Sequence, residues 1–153
     1  MHLAQLNIGK PLGPMDGLVM RDFKAGLDLV NAIAERSPGF VWRLKDENSN
    51  ATAIRAFDDP DLLINLSVWE NAESLEQFVW QTVHKRFYAR KGEWFQKSAV
   101  PHFAMWWVGE GHRPSLLEAR ERIEHLHQHG PGEHVFGWES LPNIKLWMSA
   151  RCA

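Results

Sequence analysis

Residues alternate along the first stretch of the chain, with Leu3, Gln5 and Asn7 on one side and Ala4, Leu6 and Ile8 on the other. That period of two predicts a short strand, which Gly9-Lys10-Pro11 ends. After the loop 11–17 the period changes: Met20, Phe23, Leu27, Val30 and Ala34 recur at helical spacing until Ser37-Pro38-Gly39, so a helix of about 17 residues follows. Phe40-Val41-Trp42-Arg43-Leu44 has strand composition, and Asn48-Ser49-Asn50 supplies a turn before residues 51–57, which predicts a hairpin. Asp58-Asp59-Pro60 makes another turn, and residues 62–69 alternate most clearly of all, Leu62, Ile64, Leu66 and Val68 against Leu63, Asn65, Ser67 and Trp69. Ser74 with Gln77 forms a capping box, and Leu75, Phe78, Val79, Thr82, Val83, Arg86 and Phe87 share one stripe of a long helix from about Glu73 to the mid-90s. Residues 102–108 read as a strand buried on both faces, and Pro114-Ser115 opens a third helix carrying Leu116, Leu117, Ala119, Ile123 and Leu126. Gly130-Pro131 closes that helix, and residues 135–139 are expected as a last short strand.

The order β-α-β-(β)-β-α-β with an appended α-β is that of a ferredoxin-like split βαβ, an α+β fold with an antiparallel sheet and helices on one face. No repeat or interdomain linker interrupts residues 1–153, so one domain is expected. The strands carry large apolar residues on both faces, so the face without helices needs a cover. A homodimer packed sheet to sheet is the simplest, because a two-fold interface needs one self-complementary patch.

Polar residues interrupt these apolar strands at a period of two: Gln5 and Asn7 on the first, Arg43 on the second, Asn65 and Ser67 on the third. If their face lies under the helices, each unpaired group there costs about 1–3 kcal/mol, so they pair with each other, with water or with a ligand. A cross-strand ladder that sets register, the polar wall of a ligand pocket, and a solvent-facing side are all open. His84, inside the long helix beside its apolar stripe, is the candidate acid or base, with a structural histidine as the alternative.

Composition adds one positive signal, eight Trp beside eight Phe and a single Tyr. Trp42, Trp69, Trp106 and Trp107 fall on strands, either as core or as an aromatic wall for a flat substrate. With 17 Lys and Arg against 19 Asp and Glu, the formal charge of −2 supplies no basic surface for nucleic acid. The lone Cys152 allows neither an internal disulfide nor a cysteine-rich zinc site, and no run reaches the ~18–20 apolar residues of a membrane span, so a cytoplasmic protein is expected. His125 and His129 stand i,i+4 near His127 and His134, yet histidines at a helix C-terminus suit the helix dipole without metal, and no metal is expected. Gly109-Glu110-Gly111-His112-Arg113-Pro114 lacks the glycines and lysine of a phosphate loop and is expected as a turn aiming His112 and Arg113 at the third helix.

Four groups of residues carry a resemblance: Leu3-Ala4-Gln5-Leu6-Asn7, the run from Asn31 to Leu44 with Ser37-Pro38-Gly39-Phe40-Val41-Trp42-Arg43, then Asn65-Leu66-Ser67-Val68-Trp69-Glu70 with His84, and Met105-Trp106-Trp107-Val108 with Gly111-His112-Arg113-Pro114. Over about residues 3–136 the chain resembles a bacterial family of unknown function in the dimeric α+β barrel superfamily, beside the antibiotic-biosynthesis monooxygenases. The resemblance implies a dimer with one apolar pocket per subunit between sheet and helices, and Asn65, Trp69 and His84 near it. That superfamily holds cofactor-independent monooxygenases, haem-degrading enzymes, isomerases and cyclases, and the fold does not choose among them. His84 stands 15 residues after Trp69, more than a helical turn farther than in the haem-degrading members.

The pocket residues, together with what the resemblance implies, lead to the expectation of a small-molecule enzyme with cofactor-independent, monooxygenase-like activity on a flat apolar or phenolic substrate. His84 takes the proton, and Asn65, Gln5 and Arg43 hold the oxygen on which charge develops. Asn7 and Ser67 complete the polar wall, with Trp42, Trp69 and Trp107 around it. The rivals are an isomerase or cyclase using the same pocket without oxygen, and a non-catalytic small-molecule or haem-binding module. The tail from Ile144, with Leu146, Trp147 and Met148, either closes the pocket or packs on a partner.

Overall fold

The computed structural model describes residues 1–45, 62–80, 82–97 and 100–141, with the side chains of residues 82–84 and 87 outside that description. The expected hairpin arm 51–57, its flanking turns and the tail from residue 144 lie outside the described residues. Four strands, β1 (His2–Gly9), β2 (Phe40–Arg43), β3 (Leu63–Trp69) and β4 (Phe103–Val108), form one sheet in the order β2-β3-β1-β4. Every neighbouring pair is antiparallel. With α1 (Arg21–Arg36) between β1 and β2 and helical segments between β3 and β4, this is the ferredoxin-like α+β arrangement.

The expected long second helix is met on both sides of residue 81, which lies outside the described residues, as α2 (Ala72–Trp80) and α3 (Thr82–Ala89), and a turn at Arg90 then sets off a short α4 (Lys91–Trp94). Its start also differs from the capping box: Asn71 Oδ1 accepts from the Ser74 amide at 2.8 Å, so Asn71 is the cap. Ser74 lies instead against Gly39, whose φ of +83° starts the turn into β2. A Cβ at Gly39 would overlap the Ser74 hydroxyl and sit in a left-handed conformation that disfavours side chains. Gly39→Ala is therefore expected to cost more than about 2 kcal/mol, read as a lowered urea midpoint at unchanged slope. An unmoved midpoint would show that the turn relaxes freely.

The faces of the sheet follow from its period of two. Leu3, Trp69 and Met105 face α1 and α2, packing with Ala34, Ala72 and Leu75. Ala4, Leu6, Leu66, Val68, Ala104 and Trp106 face the other way. There the appended helix α5 (Leu116–His129) lays Leu116, Ala119, Ile123 and Leu126 across them, so that α1 and α2 hold one face while α5 holds much of the face assigned above to a second copy. The ends of α5 match the sequence signals: Ser115 Oγ accepts from the Glu118 amide at 3.1 Å, and Gly130 leaves the helix at φ +76°.

The expected last strand at 135–139 is a single bridge. Phe136 exchanges two backbone hydrogen bonds with Met105, at 2.8 and 2.9 Å on the outer edge of β4, and the chain then turns into a 3-10 segment (Trp138–Ser140). That turn returns Trp138 to the α1/α2 side, where it stacks on Phe103. Among the described residues no helix is long and apolar enough to cross a membrane.

Candidate functional site

Pairing register turns the isolated polar residues of the strands into rows. Arg43 lies opposite Ser67, Ser67 opposite Gln5, and Gln5 opposite Met105. In the next row Asn65 lies opposite Asn7, and Asn7 opposite Phe103; on the other flank run Phe40, Trp69, Leu3 and Trp107. Opposed side chains on one face stand about 4.5–5.5 Å apart at Cβ, so Gln5, Asn7, Arg43, Asn65 and Ser67 form one polar patch beneath α1 and α2.

Inside the patch the hydrogen bonds have a direction. Gln5 Nε2 donates to Asn65 Oδ1 and to Ser67 Oγ, both at 2.7 Å, and Trp69 Nε1 donates to the same Ser67 oxygen at 2.9 Å. With both lone pairs engaged, the Ser67 hydroxyl is left to donate. Gln5 and Ser67 are buried, whereas Asn65 is exposed, so the ladder runs from the core to solvent. Since the Asn65 carbonyl is turned to Gln5, its NH2 end is the one available to a visitor. Arg43 Nε donates to Glu35 Oε1 of α1 at 2.7 Å, and this hydrogen bond is the main cause holding the Glu35 carboxyl below its ordinary value. A cross-strand hydrogen-bond ladder is thus present, and one end of it opens outward.

The tryptophans divide differently from the expectation. Trp69 is 1% exposed, stacked on Phe78 (5.3 Å, 23°) with Phe40 edge-on (5.4 Å, 86°), so it is a pillar that fixes Ser67 and has its ring face already occupied. A bulge between Phe40 and Trp42 turns Trp42 to the opposite face, opposite Val68 and among the residues under α5. Trp107 is 39% exposed at the outer strand, beside Phe136. Trp42 therefore leaves the face of Trp69, whereas Trp107 stays on that face in the same cross-strand row, with Leu3 between them. The wall present is Trp138 stacked on Phe103 (5.7 Å, 10°), followed by Trp80 (6.4 Å from Trp138) and Tyr88 (5.9 Å from Trp80). Phe103 could have been found by its parity with Met105, but Trp138 reaches it only through the Phe136 bridge.

His84 belongs to α3, which contacts α1 and α2, and its side chain lies outside the described residues. A second imidazole missed by the pattern is His102, at the head of β4, which burial, helped by the Lys91 ammonium, pushes below its ordinary value. His112 pairs with Glu118 Oε1 at 2.6 Å, and the other Glu118 oxygen accepts from Trp106 Nε1 at 2.9 Å, so the turn before α5 uses His112 inside the fold. The His125 ring lies 4.6 Å from those of His129 and His134, with His134 bonded to Glu121. Among the described residues no group of three or more His, Cys, Asp or Glu is placed to hold a metal ion.

The model of a family described as Domain of unknown function (DUF3291) matches residues 2–151. No curated protein matches the chain. Among solved structures, a conserved protein from Methanosarcina mazei Go1 is similar at a TM-score of 0.53 and 13% identity, over 71% of this chain and 94% of that one. The likeness at that identity is one of fold. SnoaB, a cofactor-independent oxygenase from Streptomyces nogalater, is similar at 0.47 and 14%, covering 71% and 94%. Rv0793 from Mycobacterium tuberculosis is similar at 0.48 and 12%, covering 75% and 100%.

Proposed function

We propose, for a chain that belongs to the DUF3291 family of domains of unknown function, a small-molecule enzyme whose site is the polar patch under α1 and α2. The observation that carries the reading is the Gln5, Asn65 and Ser67 ladder, set in an apolar layer and open at Asn65. The chemistry it suits best is cofactor-independent monooxygenation of a flat apolar or phenolic substrate. Such a substrate lays one oxygen on the patch, where the Asn65 NH2, Asn7 and the Arg43 guanidinium oppose the negative charge that develops on it. His84 on α3 takes the substrate proton. The resulting carbanion passes electrons to dioxygen and a C–O bond forms; a CH2 plus O2 becomes C=O plus water, which carries away both hydrogens and the second oxygen atom. The reading includes a homodimer, for which Ile8, Trp42, Leu44, Leu62 and Ile64, half-buried beside α5, supply apolar area. Light scattering on the purified protein reads that state.

The test is a thermal-shift panel of quinols, anthrones and flavonoids, with each hit taken to an oxygen electrode. One O2 consumed per product is the expected result, with His84→Ala lowering turnover by about tenfold or more while circular dichroism stays unchanged. Product without oxygen uptake would replace the monooxygenase with an isomerase or cyclase. Binding without product would leave a binding module.

A further inference from the structure

Trp80 lies on α2 and is held by rings on two sides, Tyr88 edge-on at 5.9 Å and Trp138 tilted at 6.4 Å. Trp138 is stacked on Phe103, and Phe103 is the neighbour of Asn7 across the β1/β4 pairing, so this chain of rings starts beside the polar patch. The buried tryptophans Trp69 and Trp106 donate their indole N–H to named acceptors, Ser67 Oγ and Glu118 Oε2. Trp80 Nε1 is sealed from solvent and has no hydrogen-bond partner among the described residues. An indole is a donor only, so nothing but an acceptor atom can satisfy it. A sealed, unpaired N–H carries a penalty of about 1–3 kcal/mol, which an arriving acceptor removes.

We infer that Trp80 is a specificity-determining residue of the site: its N–H accommodates an acceptor oxygen of the bound small molecule, while the Trp138 and Phe103 rings meet its apolar body. This assignment rests on the reading of the polar patch as a ligand site and extends it, giving the ligand a second anchor besides the one on Asn7 and Asn65. A flat molecule with acceptors at both ends is then preferred over an isosteric hydrocarbon by more than the patch alone provides. A site that pairs with a substrate oxygen discriminates against analogues lacking it, because its own polar group is otherwise left unpaired.

Equilibrium dialysis with menadione, and with methylnaphthalene as the carbonyl-free comparison, tests the assignment on the intact chain. Trp80→Phe keeps an aromatic ring and deletes the N–H. Menadione is expected to bind this variant about tenfold more weakly than wild type, with methylnaphthalene unchanged. In nitrogen-labelled wild-type protein, the Trp80 indole resonance, assigned by its loss in Trp80→Phe, is expected to move downfield with menadione and not with methylnaphthalene. Equal weakening of both probes would assign Trp80 to packing and overturn the proposal, as would unchanged menadione affinity or an unmoved indole resonance. If Trp80→Phe retains menadione while Asn65→Ala loses it, the patch reading stands and only the Trp80 assignment fails. If wild type binds neither probe and the panel above also yields no ligand, both fall together.

Discussion

Trp69→Ala is expected to destabilise the protein by about 3–5 kcal/mol, the range for deleting a buried aromatic side chain. The residue is 1% exposed, and its ring is held by the stack on Phe78 and the edge contact with Phe40, so truncation opens a void where β3 meets α2 and the start of β2. The loss also frees Ser67, whose oxygen then has only the Gln5 amide as donor. Since a single domain is stable by only about 5–15 kcal/mol, much of the molecule should unfold well below the wild-type urea midpoint. Trp69→Phe separates the two contributions: it keeps most of the ring and removes the donor, and about 1–2 kcal/mol of loss is expected. If Trp69→Ala shifts stability by less than about 1 kcal/mol, Trp69 is not the pillar that its packing indicates.

The second large effect falls on activity. Gln5→Leu is expected to lower turnover by about 10- to 100-fold, near the lower part of the range for losing a preorganised donor, because Gln5 orients Asn65 and does not itself reach solvent. With Gln5 in place the Asn65 carbonyl is occupied and its NH2 end faces outward; with leucine there, the amide turns freely and presents a carbonyl oxygen about as often. Asn65→Ala removes the donor outright. If Gln5 acts through Asn65, the double variant is no worse than Asn65→Ala alone, a non-additivity that a merely structural Gln5 would not produce. Full additivity of the two changes in kcat would reject the positioning role. The measurement uses whichever substrate the thermal-shift panel supplies, and denaturation midpoints of the same variants separate folding from function.

The local pattern carried much of this. The parity that put Gln5, Asn7, Asn65 and Ser67 on common faces is a property of any strand, so their gathering needed only the pairing to be added. The same parity failed at Trp42, because the bulge before it places Phe40 and Arg43 on one face and Trp42 on the other. The stripe running through residues 75–87 spans α2 and α3, and the helix expected to reach the mid-90s is interrupted at Arg90 before the short α4, a stop that side-chain periodicity does not mark. The apolar stripe of α5 was equally clear, but a stripe states that a face is buried and not against what.

By itself, the sequence determined the order of β1, α1, β2, β3, β4 and α5, the turns at Ser37-Pro38-Gly39 and Gly130-Pro131, and the spacing of the polar residues along the strands, because spacing, glycine conformation and capping act over a few residues. Tertiary structure alone decided that α5 covers the second face of the sheet, that Gln5 orients Asn65 across the β1/β3 pairing, and that Phe136 docking on Met105 brings Trp138 beside Phe103 and Trp80. Those outcomes depend on contacts between residues tens of positions apart, whose free energy is realised only once the sheet has formed and leaves no period in the chain.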